Sequence, residues 1–136
     1  MKTFVVVNPA AGGGRAGKQW LNISRALRDA VGNFDFAVTE KSGDATVLVR
    51  DAVANSARTI IAVGGDGTIN EAINGLCDGE SGPAADINFG FVMVGTGGDF
   101  RRSFDLPKGV AAAIERLKSG RTSMICLLYT SDAADE

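Results

Sequence analysis

The chain has 136 residues, with 14 Lys plus Arg, 16 Asp plus Glu, no His and a formal charge of −2, which suits one globular domain and little more. At 45% hydrophobic and 22% charged it can bury a core, and its charge balance offers no broad basic footprint for nucleic acid. Without His there is no Ser-His-Asp triad and no His-ligated metal; Cys77 and Cys126 alone cannot hold zinc, so any metal would sit on carboxylates.

The opening MKTFVVVNPAA is too short and too strand-like for a signal peptide, and no apolar run approaches the roughly 18 residues of a spanning helix. A cytoplasmic location is therefore expected, with no transmembrane segment. Thr3 to Val7 is a β-branched run typical of a strand covered on both faces. A glycine-rich loop follows. Trp20, Ile23, Leu27 and Val31 recur at helical spacing and predict an amphipathic helix from about Ala16 to Val31, closed by Gly32. Residues 34–39 read as a second strand. Ser42, Gly43 and Asp44 give a helix-capping signal for a helix to about Ser56, with Ala45, Leu48, Val49 and Ala52 on its apolar face.

Thr59 to Val63 repeats the buried-strand pattern and runs into GGDGT, after which TINEAINGL has helical spacing. Residues 77–86 read as a polar loop, 88–94 as a fourth strand leading into GTGGDF, 105–107 as a turn, and Lys108 to Lys118 as a last helix. Strands alternating with helices predict a doubly wound, Rossmann-like, three-layer α/β domain on a parallel sheet with right-handed crossovers.

All three glycine clusters follow strands directly, and the carboxyl ends of strands in an open parallel sheet are where ligands bind. Glycines there bring backbone N–H groups close to an anion, and the following helix adds its positive end, so phosphate is the natural occupant. The first loop satisfies two patterns imperfectly. Gly12, Gly14 and Gly17 spell G-x-G-x-x-G with Glu40 as a ribose acid, but NPAA intervenes between strand and first glycine. Gly12 to Lys18 also spells G-x-x-x-x-G-K, with Gln19 where Ser or Thr would ligate Mg²⁺. The second loop, Gly64-Gly65-Asp66-Gly67-Thr68, can wrap a polyphosphate with Asp66 near a bound Mg²⁺. Its plainer reading is helix capping by Asp66 and Thr68, and for Glu71 complementing the helix dipole.

NPAAGGG near the start, Thr39 after the second strand, GGDGTINEAINGL and GTGGDF together resemble the diacylglycerol kinase catalytic-domain family, which includes bacterial lipid kinases and sphingosine kinases. The resemblance covers residues 1–125 and rests on the order and spacing of the motifs, since NAD kinases and phosphofructokinases share the GGDG element. It implies an N-terminal α/β nucleotide-binding domain, a C-terminal β-sandwich domain that this chain lacks, and an active site between the two. It places ATP contacts on Asn8, Pro9, Ala10, Ala11 and Gly12, on Thr39, on Gly65, Asp66, Gly67, Thr68, Ile69, Asn70 and Glu71, and on Thr96, with Asp66 as the acid essential to phosphoryl transfer. Gly95, Thr96, Gly97 and Asp99 match the third loop, whereas Gly98 stands where the family more often has Asn. The Arg101–Arg102 pair reads as a solvated start to a helix.

The expectation is an ATP- and Mg²⁺-dependent lipid kinase represented by its nucleotide-binding half and inactive alone. Its lipid acceptor would be met at the membrane surface through the second domain. The alternatives are an NAD kinase-like or Rossmann dinucleotide-binding domain, or a non-enzymatic nucleotide sensor. Residues 126–136, CLLYTSDAADE, read as a translated sequencing adapter, so 1–125 is the expected domain; the alternative is a short strand with a polar tail. Acceptor identity and oligomeric state are not encoded in these residues.

Overall fold

Runs of Val, Ile and Phe pair side by side in a parallel sheet, and the helices between them cover both of its faces. In the computed structural model, residues 2–77, 87–94 and 108–119 are described. Their order is β1 (Lys2–Val7), α1 (Arg15–Val31), β2 (Asp35–Val38), α2 (Asp44–Ala54), β3 (Ala57–Gly64), α3 (Asp66–Leu76), β4 (Asn88–Met93) and α4 (Lys108–Ser119). The strand order is β2-β1-β3-β4 with every pairing parallel, so the doubly wound sheet expected from the alternation is present.

Burial follows position in the sheet. In central strands β1 and β3, Val5, Val6, Ile60, Ile61, Ala62 and Val63 are fully inaccessible, whereas Phe36 and Val38 on edge strand β2 remain exposed. Val5, Val7, Ile61, Val63 and Val92 face α1 and α4 through Ile23, Leu27, Val110 and Ile114. On the other face Val6, Ile60 and Ala62 meet Val49 and Ala52 of α2 and Ala72 and Leu76 of α3. Trp20, on the expected apolar face of α1, is half-buried and packs on Phe36 with ring centroids 5.2 Å apart.

Several expected boundaries move for local reasons. Helix α3 begins at Asp66, ahead of the periodic run that starts at Thr68, because the run registers only apolar side chains. Strand β2 is shorter than 34–39: Phe34 is buried at its entrance, and Thr39 extends the ladder by one bond, its N–H reaching Val7 O at 2.8 Å. Gly32 closes α1 as expected, at φ 86 with its N–H on Arg28 O. Helix α2 differs. Its N-cap is Gly43 in the left-handed region with no side-chain cap, and the Asp44 carboxylate turns back to accept the N–H groups of Glu40 at 2.8 Å and Lys41 at 3.1 Å. The expected 78–86 loop, the third glycine loop, the 105–107 turn, the Thr122 to Ile125 strand and the 126–136 segment lie outside the described residues.

Candidate functional site

The carboxyl ends of all four strands share one rim, and the ladder itself shows it. Beyond the last paired residues, Thr39 N–H bonds Val7 O at 2.8 Å, Asn8 N–H bonds Val63 O at 2.9 Å and Val94 N–H bonds Gly64 O at 2.8 Å. Thr39, Asn8, Gly64 and Val94 therefore follow one another along the edge, roughly 4.8 Å apart strand to strand. From β1 the chain leaves to the face of α1 and α4, and from β3 to the face of α2 and α3. The strand order thus switches between β1 and β3, where a crevice opens in sheets of this kind. The amino ends of α1 and α3, each with a partial positive charge, flank that crevice; the first-turn N–H groups of α1 are taken up by carbonyls of the loop before it, from Arg15 on Gly12 O to Lys18 on Gly14 O.

The first loop is shaped by its glycines. Gly12, Gly13 and Gly14 have φ of 67, 67 and 95, a left-handed path that L side chains rarely take. Asn8 starts the turn by accepting the Ala10 N–H on Oδ1 at 3.0 Å. Pro9 accepts the Gly17 N–H at 3.0 Å, and a Cβ on Gly17 would lie 3.1 Å from Pro9 O. Gly17 is therefore a packing glycine that seats the first turn of α1 on the loop. That role needs no dinucleotide, and with α1 starting at Arg15, Gly17 and Lys18 lie within the helix. Among the described residues, neither Gly12 nor Gly13 donates its N–H to another backbone group.

The second loop turns directly from strand into helix. Gly65 is the N-cap of α3, extended and without a side-chain cap, so neither Asp66 nor Thr68 caps the helix as the plainer reading had it. Thr68 is 5% exposed and accepts a hydrogen bond from Asn8 Nδ2 at 3.0 Å. Gly64 makes room for it, since a Cβ there would lie 2.6 Å from Thr68 Oγ1. Asp66, Gly67 and Asn70 are exposed along the start of α3, and a Cβ on Gly67 would meet nothing within 4 Å.

Glu71 is half-buried one turn further along and reaches α2. Ser42 Oγ donates to Glu71 Oε2 at 3.4 Å and Thr46 Oγ1 to Glu71 O at 2.8 Å. Thr39 is buried at the rim beside Asn8, while Glu40, the alternative ribose acid, is exposed and held by its N–H to Asp44. The two backbone donors on Asp44 hold its carboxyl below the usual carboxylate range, Glu40 contributing most.

The structure thus brings Asn8 to Gly12, Thr39 and Gly65 to Glu71 to one rim, as the motif spacing implied; Ile69 faces the α2 side of the core. Thr96 lies outside the described residues. Sequence reasoning placed Gly64 in the second loop without its packing against Thr68, and it missed Ser42 and Thr46 as parts of this rim. The doubled glycine before Asp66 was a usable signal for Gly64, whereas Ser42 and Thr46 meet Glu71 only through the packing of α2 on α3.

Fold and rim together are those of a doubly wound α/β domain whose glycine loops converge where its strand order switches. The family follows from comparison. Residues 2–129 match the diacylglycerol kinase catalytic domain, and the chain belongs to that family. A diacylglycerol kinase of Staphylococcus epidermidis is 37% identical over 87 residues, 64% of this chain and 26% of its own length. One from Staphylococcus aureus is 28% identical over 121 residues, covering 89% of this chain and 37% of its own. A crystal structure of a diacylglycerol kinase from Bacillus anthracis superposes with a TM-score of 0.65 at 31% identity, over 88% of this chain and 40% of that one. The chain spans about a quarter to two-fifths of the length of these relatives.

Proposed function

We propose that this chain is the nucleotide-binding part of an ATP-dependent lipid kinase that phosphorylates a lipid hydroxyl such as that of diacylglycerol. One observation carries the reading: two glycine loops open a crevice at the β1–β3 switch, with helix amino ends on both sides and clear space over Gly67. Polyphosphate fits such a place because orphan N–H groups and the two helix dipoles supply positive potential without a buried cation. The backbone of Asn8 to Gly12 and of Gly65 to Thr68 faces the phosphates, and Thr39, Asn70 and Glu71 line the rim beside them, with Thr96 of the third loop assigned there by family resemblance.

Asp66 is the residue we assign to phosphoryl transfer. Asp66, exposed at the start of α3 beside the crevice, would hold Mg²⁺ next to the phosphates. Bound Mg·ATP supplies the phosphoryl group and the charge neutralisation that this transfer needs. The protein's part is to hold the chain of phosphates in line and to keep its own carboxylate exposed at the crevice.

We place the acceptor pocket in the portion of the family's length that these residues do not span. No helix among the described residues is long and apolar enough to cross a membrane, in keeping with an enzyme that meets its lipid at the surface from the cytoplasm. Isothermal titration tests the reading. The wild-type chain takes up Mg·ATP, Asp66→Ala abolishes the signal and NADH gives none. NADH binding that disappears in Glu40→Ala overturns it in favour of a dinucleotide domain.

A further inference from the structure

We infer that Asn8 and Thr68 form a clamp across the crevice between β1 and β3, a positioning pair that fixes the gap between the two glycine loops. The geometry stands on its own; the consequence for ligand affinity rests on the nucleotide-binding reading above. Both ends of the Asn8 amide are engaged, Oδ1 by the Ala10 N–H and Nδ2 by Thr68 Oγ1, each at 3.0 Å. Because Oδ1 must face a donor, the amide has one sensible orientation, and that orientation aims Nδ2 across the crevice.

The partner is equally constrained. Thr68 is buried to 5% exposure, and its hydroxyl occupies the space left by the missing side chain of Gly64. The hydroxyl serves no cap, since α3 has no side-chain cap bond. Asn8 and Thr68 stand 60 residues apart in sequence, on elements that depart to opposite faces of the sheet. Their bond ties the start of the first loop to the first turn of α3. Both residues belong to the motif segments attributed to ATP contact; here Asn8 Nδ2 and Thr68 Oγ1 are joined to each other, so the pair sets where those segments stand.

The test uses the full chain without nucleotide, by amide hydrogen exchange read with NMR on wild type, Thr68→Val, Thr68→Ser and Asn8→Ala. Thr68→Val keeps the branched shape and removes the acceptor, so exchange at the hydrogen-bonded amides of Ala10, Ala11 and Gly14 accelerates about tenfold, the loss of one hydrogen bond. Thr68→Ser restores the wild-type pattern, and Asn8→Ala accelerates the amide of Ile69, the first bonded N–H of α3, in return. First-loop amides that exchange alike in wild type, Thr68→Val and Asn8→Ala overturn the clamp. Mg·ATP titration supplies the second arm: affinity falls about tenfold in Thr68→Val and returns in Thr68→Ser. Equal affinity in the Val variant overturns the clamp's role in binding. A wild-type chain that takes up no Mg·ATP counts against the kinase reading alone, while the exchange experiment still decides the clamp.

Discussion

A Cβ added at Gly64 would lie 2.6 Å from Thr68 Oγ1, whereas one added at Gly67 meets no atom within 4 Å. Neither residue has a positive φ, so backbone conformation excuses neither glycine. Gly64 is required by its neighbour and Gly67 by nothing in the fold, although glycine near the start of a helix costs stability relative to alanine. Gly64→Ala is expected to lose about 1–3 kcal/mol in urea unfolding through overpacking. Gly67→Ala should hold or gain stability, by up to about 1 kcal/mol, and bind Mg·ATP roughly tenfold more weakly. A Gly67→Ala chain with unchanged affinity would remove the case for ligand approach over that position. Cys77 behaves differently again. Burial pushes its thiol up, so iodoacetamide should alkylate it several-fold more slowly at pH 8 in the native than in the unfolded chain, read by peptide mass spectrometry.

Among elements, the contact between α2 and α3 governs how the rim is held. Thr46 Oγ1 bonds Glu71 O at 2.8 Å, and Gly75 lets the helices approach so closely that a Cβ there would sit 2.6 Å from Thr46 O. Gly75→Ala should therefore push α2 and α3 apart and cost about 1–3 kcal/mol by denaturant unfolding. The turn before α2 carries a pH signature. Because Asp44 is depressed below 3.8 in the folded chain, its contribution is complete above that value and is lost as pH falls through the lower folded value. Asp44→Asn should flatten the dependence of stability on pH below about 4 and lower stability at pH 7, where the wild-type carboxylate makes its full contribution.

The strands and most helices were legible in the sequence because a parallel sheet buries both faces of a strand, and runs such as TIIAV have no other economical use. The start of α3 was not legible, since Gly65, Asp66 and Gly67 are poor helix formers and only tertiary packing recruits two of them into the first turn. The capping signal at Ser42 to Asp44 pointed to the right place with the wrong bond, because Asp44 turns toward the preceding backbone and not the helix behind it. Motif order located the rim. It could not reveal which polar side chains face a ligand and which face each other, as Asn8 and Thr68 do from positions with no shared spacing rule.

For the molecule as a whole, the described residues form a four-stranded parallel sheet with two of the three glycine loops at one rim. We expect Mg·ATP to raise the melting temperature of the 136-residue chain in proportion to the logarithm of its concentration, as any ligand confined to the native state does. Mixed with Mg·ATP and micellar diacylglycerol, the same chain should release no phosphorylated lipid, because in-line transfer requires donor and acceptor to be held together. Labelled phosphatidic acid appearing above the Asp66→Ala background would refute that expectation.

The pairing of β1 with β3 slips by one residue between Lys2 and Thr3 and is regular from there to Val7. The register irregularity of the central strand pair therefore sits at the end remote from the crevice. A short peptide or fluorophore fused ahead of Lys2 would stand at the opposite end of the strands from the crevice and should leave ligand uptake intact.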